Sequence, residues 1–133
     1  MIGNDGITMR SVNLRDGYAL QLAAKQGYRL AVISGGHSPA FEKRLNSLGV
    51  MDVNLNCKDK KHVFNDFLEK EKLDRLDVLY MGDDIPDYEV MKLAGVAVCP
   101  ADADSEIKHL AQYISDKNGG EGCVRDVIEQ VLR

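Results

Sequence analysis

Two short apolar runs, residues 28–34 (YRLAVIS) and 77–81 (DVLYM), each break off at a glycine-containing polar turn that opens a helix-length segment. Runs without polar alternation are what strands buried on both faces require. Their alternation with helical spacing marks βαβ units around a parallel sheet. The rest of the chain keeps that rhythm. Helices are expected over residues 16–26, 58–72, 105–110 and 123–132, with others opening at Ser38-Pro39 and at Pro86. Shorter strands are expected over residues 50–55, 95–99 and 111–114. Ser38 is placed to cap its helix, with Pro39 tolerated in the first turn. Asn4-Asp5-Gly6 is a turn signal and predicts a small hairpin. Residues 1–133 show no repeat, linker or low-complexity tract and read as one α/β domain.

Charge and cysteine usage narrow the function classes. The formal net charge of −4 supplies no basic field to attract nucleic acid or an anionic membrane. An anionic ligand must therefore be held by a few local cations or a metal. Cys57, Cys99 and Cys123 are odd in number and lack metal-site spacing, which points to reduced thiols in a cytoplasmic protein. No apolar stretch approaches the ~18 residues of a membrane span, and the first eight residues hold no signal-peptide core.

In open parallel sheets, ligands bind beyond the carboxyl ends of the strands, and three features fall there. Ser34-Gly35-Gly36 follows the first run, where a hydroxyl and two glycine backbones let phosphate oxygens approach a helix N-terminus. Such turns are common in α/β domains, so this feature alone does not decide. Gly82-Asp83-Asp84-Ile85-Pro86-Asp87 follows the second run. Its three carboxylates repel one another and suit Mg²⁺, which takes one or two protein carboxylates and completes its shell with water and phosphate. Acids decorating a helix N-terminus are the simpler account, but Asp83 and Asp87, four apart, can face one side of the turn. Lys60 opens a helix whose dipole disfavours a cation. It is either an ammonium aimed at phosphate or a solvated lysine, and Asp59 is placed to cap. His37 in the polar turn is a further candidate for touching substrate. His62 and His109 read as surface residues, and Met81 and Met91 as core.

The ordered segments VNLRDGYALQLA, AVISGG, KDKKHVFNDFL, LYMGDDIPDYEVMKLAGVAVCPADA and NGGEGCVRDVIEQVL resemble the 3-deoxy-D-manno-octulosonate 8-phosphate phosphatases over essentially the whole chain. These are capless, usually tetrameric members of the haloacid-dehalogenase-like superfamily. The resemblance implies a Rossmann-like three-layer α/β/α fold and Mg²⁺-dependent hydrolysis of a phosphorylated acidic keto-sugar in lipopolysaccharide biosynthesis. It gives Ser34 and Lys60 to the transferring phosphoryl group and Asp83 to the metal, with Asp84 and Asp87 ordering it. Arg15, Asp16, Gly35, Gly36, His37 and Arg125 are implied beside the substrate, as is the Gly119-Gly120 loop, and a homotetramer is implied as the assembly.

Two departures shape the expectations. The family's first strand ends in a DxDG motif whose first aspartate attacks phosphorus, and no DxDG occurs in this chain. The reading is therefore a domain incomplete at its N-terminus, its central strand missing and its nucleophile absent, and residues 1–133 alone are expected to be inactive. Gly36-His37 also replaces the arginine or glutamate that many relatives carry, which leaves a nine-carbon keto-acid phosphate as an alternative substrate. A catalytically inactive oligomerisation or sensor module is the reading from a different class.

Overall fold

The computed structural model describes residues 4–7, 14–36, 38–119 and 121–132, with side chains over 17–36, 38–119 and 121–131. Among the described residues, six strands alternate with six α-helices: β1 (Asn4–Ile7), α1 (Leu14–Lys25), β2 (Arg29–Ile33), α2 (Pro39–Ser47), β3 (Asp52–Asn54), α3 (Lys60–Glu71), β4 (Val78–Met81), α4 (Tyr88–Leu93), β5 (Val96–Cys99), α5 (Ser105–Leu110), β6 (Tyr113–Ile114) and α6 (Cys123–Leu132). Every strand pair is parallel, in the order β3-β2-β1-β4-β5-β6. The strand order reverses between β1 and β4, where doubly wound sheets open a crevice at their carboxyl ends.

Side-chain alternation along the strands sorts the core into two layers. Leu30, Val32, Leu79, Met81 and Val98 pack with Leu20 and Ala23 of α1 and with Val124, Val127 and Ile128 of α6. On the opposite face, Ile33, Val78, Tyr80, Ala97 and Cys99 meet Phe64 of α3, Val90 and Met91 of α4, and Ile107 of α5. The expected three-layer α/β/α arrangement is thus observed.

Local chemistry fixes the element ends. The Ser38 hydroxyl accepts from the amide of Phe41 at 3.2 Å, and Asp59 caps α3 by accepting from the amide of His62 at 3.2 Å. Gly95 is required between α4 and β5, because a methyl there would run into the carbonyl of Leu76.

The hairpin expectation is corrected. Asn4–Ile7 runs as a parallel strand between β2 and β4, with Ile7 level with Val32 and Met81. The expectation of a missing central strand is corrected with it, because β1 occupies the centre of the sheet. A gap there would strand the facing backbone groups of two buried strands, at about 1–3 kcal/mol for each unmet bond. Backbone pairing with two neighbours overrides the turn propensity of Asn-Asp-Gly. The helix expected from Pro86 also differs: a 3₁₀ turn, Ile85–Asp87, precedes α4.

Asp126 ties α6 to the far edge of the sheet. Its Oδ2 accepts from the Tyr113 hydroxyl at 2.6 Å and the Ser115 hydroxyl at 2.8 Å. Burial pushes the carboxyl upward, but hydrogen bonds from Tyr113, Ser115 and Gln130, helped by Lys117, outweigh it and hold the group below the usual aspartate range. A depressed folded-state value contributes stability above the unfolded value of about 3.9, and that contribution is lost as pH falls through the lower folded value. Asp126→Asn is therefore expected to lower the thermal midpoint at neutral pH. It should also flatten the acid limb below about pH 4, as read by melting curves between neutral pH and pH 2.

Candidate active site

The two buried strands that flank β1 end level with each other, and the functional candidates follow directly. Ser34 lies two residues past Val32 and Asp83 two past Met81, while Val32 and Met81 both stand opposite Ile7. The hydroxyl and the first carboxylate therefore share one rim at the switch point.

Ser34 is buried, and its backbone is held on both sides. Its amide donates to Asn54 at 2.8 Å and its carbonyl accepts from Cys57 at 2.9 Å. The Ser34 Oγ accepts from the amide of Gly36 at 3.1 Å. A hydroxyl that accepts from the backbone keeps its own proton to donate, so Ser34 can bond an anion at the rim. Gly35 and Gly36 are exposed beside it. His37 and Gly120 lie outside the described residues. Arg15 and Asp16 fall in the first turn of α1, and their side chains lie outside the described ones.

The acidic turn divides its labour. Asp87 is fully buried: its Oδ1 accepts from Lys60 Nζ at 2.9 Å and from the Tyr80 hydroxyl at 2.7 Å. Its Oδ2 accepts from the amides of Asp83 at 3.1 Å and Asp84 at 3.3 Å. Asp84 accepts from the amide of Ile85 at 2.8 Å and forms a capping box with Asp87. Gly82 makes this fold possible, since a Cβ there would sit 2.6 Å from the Cβ of Asp87 and 2.8 Å from Met91 Sδ. Asp83 alone of the three faces outward without a capping or buried role. Desolvation raises its pKa, the charge of Asp87 raises it further, and Asp84 adds to both against the opposing field of Lys60.

That environment suits a cation, which would relieve the crowding of negative charge at Asp83. No three His, Cys, Asp or Glu side chains among the described residues gather as a self-sufficient metal cage. Mg²⁺ is ordinarily bound through one or two carboxylates plus water and phosphate. Asp83 would hold the ion, with Asp84 and Asp87 fixing the turn that carries it.

Lys60 reaches the same place from the first turn of α3. It is buried, and its field acts on Asp83 as well as Asp87. The amide of Gly119 donates to Asp102 at 2.8 Å, tying Gly119 to the segment after β5. The amide of Asp104 donates to the carbonyl of Asp83 at 3.0 Å, which brings that segment to the rim. Arg125 lies on an exposed face of α6, with Nε 2.7 Å from Glu129. The sequence did not point to the Tyr80–Asp87 bond or the Gly119–Asp102 bond.

The haloacid dehalogenase-like hydrolase family model matches residues 41–128. The 3-deoxy-D-manno-octulosonate 8-phosphate phosphatase KdsC of Salmonella typhi is 34% identical over 98% of this chain and 70% of its own length. The same enzyme of Yersinia pestis is 31% identical over the same shares, and the crystal structure of that organism's phosphatase superposes with a TM-score of 0.95, 27% identity, and coverage of 98% of this chain and 80% of its own. The Moraxella catarrhalis phosphatase, crystallised with magnesium, phosphate and KDO, has a TM-score of 0.94 over 98% of this chain and 86% of its own; at 24% identity that likeness speaks for the fold. The chain belongs to the haloacid dehalogenase-like hydrolases, in the family of the 3-deoxy-D-manno-octulosonate 8-phosphate phosphatases.

Proposed function

We propose that this domain serves Mg²⁺-dependent hydrolysis of 3-deoxy-D-manno-octulosonate 8-phosphate to the free sugar acid and phosphate. The observation that carries the reading is the shared rim of Ser34 and Asp83, with Lys60 tied to the same acidic turn through Asp87. Bound at Asp83, magnesium supplies positive charge against the phosphate oxygens.

The chain's own residues would do the rest. The Ser34 hydroxyl, oriented by the Gly36 amide, donates to a phosphoryl oxygen. Lys60 holds its ammonium at the same rim, and Asp87 keeps it from swinging into solvent. Preorganised donors of this kind stabilise charge that develops during transfer without reorganising. The attacking carboxylate would belong to a DxDG motif, which these residues do not contain. Gly35 and Gly36 let the substrate approach the backbone. Arg15, Asp16, His37, Gly120 and Arg125 stand as candidates for the sugar end, on family likeness. The same likeness supports a cytoplasmic homotetramer, which sedimentation of the chain tests.

Calorimetric titration with 3-deoxy-D-manno-octulosonate 8-phosphate, with Mg²⁺ and with chelator, tests the reading. Binding should need the metal, Asp83→Asn should abolish that dependence, and Ser34→Ala should weaken affinity roughly tenfold, the cost of one hydrogen bond to a charged group. Equal binding by Asp83→Asn with and without Mg²⁺ would sink the assignment of Asp83. Tighter binding of a nine-carbon keto-acid phosphate would reassign the sugar and leave the site intact.

A further inference from the structure

We infer that Tyr80 is a positioning residue for the metal-bearing turn, with its buried hydroxyl fixing the plane of the Asp87 carboxylate and, through it, the backbone of Asp83 and Asp84. This deepens the proposed function and rests on it for the metal.

The two oxygens of Asp87 serve different clients: Oδ1 accepts from Lys60 and Tyr80, and Oδ2 accepts from the two amides of the turn. Rotation about the Cβ–Cγ bond of Asp87 would carry Oδ2 away from those amides. Something rigid on Oδ1 must oppose that rotation. Lys60 is a poor brace, because an ammonium on a flexible four-carbon stem can follow a turning carboxylate. Tyr80 is a good one. Its residue is 0% exposed, its strand is paired on both sides, and its ring meets Phe64 edge-on with centroids 6.1 Å apart and planes at 89°. A tyrosine buried this fully needs a partner for its hydroxyl, and here that partner is the residue that orders the acidic turn.

Partners that orient a metal-bearing group, without touching the ion, commonly control affinity by 10–100-fold. For the 133-residue chain, Mn²⁺ titrated alone and followed by water-proton relaxation measures the site directly. Tyr80→Phe should raise the Mn²⁺ dissociation constant about tenfold. In the metal-free protein it should also speed hydrogen exchange at the amides of Asp83 and Asp84. Phe64→Leu is the control for packing: it should lower the melting temperature while leaving Mn²⁺ affinity and those two amides within about twofold of wild type.

Unchanged Mn²⁺ affinity in Tyr80→Phe, with unchanged exchange at Asp83 and Asp84, would overturn the inference. So would equal losses in Tyr80→Phe and Phe64→Leu, since general loosening would then explain both. If the wild type takes up no Mn²⁺, the metal reading of the rim falls instead. Exchange at the two amides still decides the role of Tyr80.

Discussion

Asp87→Ala is expected to destabilise the folded chain by about 3–5 kcal/mol, the usual cost of breaking a buried ion pair by removing one partner. At this chain length that corresponds to roughly 10–20 °C in melting temperature. Asp87 is fully buried and the Lys60 side chain is only 7% exposed, so neither solvent nor salt can replace the lost charge cheaply. The substitution takes a bond from an ammonium, a tyrosine hydroxyl and the amides of Asp83 and Asp84 together. Asp87→Asn should fare little better, because its amide nitrogen would have to face a donor. Removing both charges with Lys60→Met and Asp87→Leu should recover part of the loss, since apolar replacement of a buried pair is often neutral or better. It should not recover all, because the hydroxyl and the two amides still lose their bonds to Asp87. Melting curves for the two single variants and the double give the coupling directly. A midpoint for Asp87→Ala within two or three degrees of wild type would show that the pair is not buried in solution.

What could be read ahead of the structure follows from where the decisive forces lie. β2 and β4 were legible because a strand packed on both faces leaves a continuous apolar signature, as in Val78–Met81. The bounds of α5 and α6 matched because caps and spacing are local, and the caps at Ser38 and Asp59 are local for the same reason. β1 was not legible. Asn4–Ile7 holds a single isoleucine and a strong turn tripeptide, and only its two neighbours make it a strand.

The site divides in the same way. Residue types and position brought Ser34, Lys60 and Asp83 forward, but three similar carboxylates gave no clue to which one is buried. The capping-box spacing of Asp84 and Asp87 around Pro86 was the available signal, since it engages both with the backbone of the turn. Tyr80 was read as one more apolar residue of a buried strand. Its phenolic oxygen was the overlooked sign, because it must find a donor or acceptor once both faces of the strand are covered.

These 133 residues by themselves are expected to bind a phosphorylated keto-sugar with Mg²⁺ and yet show no measurable turnover. Losing a nucleophile costs on the order of 10⁴–10⁶ in kcat while leaving ground-state binding largely intact. Of the carboxylates at the rim, Asp87 is enclosed by four donors, Asp84 and Asp104 are engaged in capping, and Asp102 accepts from the amide of Gly119. Using Asp83 to attack would take away the carboxylate proposed to hold the metal. Residues 8–13, Thr8-Met9-Arg10-Ser11-Val12-Asn13, contain no carboxylate. Phosphate release from 3-deoxy-D-manno-octulosonate 8-phosphate should therefore stay at background, while calorimetry on the same sample records Mg²⁺-dependent binding. A DxDG-bearing strand fused to the chain so that it takes the place of Asn4–Ile7 between β2 and β4 should convert that binding into turnover that Asp83→Asn abolishes. Metal-dependent release by residues 1–133, lost on chelation and in Asp83→Asn, would mean that a nucleophile outside the family's motif operates at this rim.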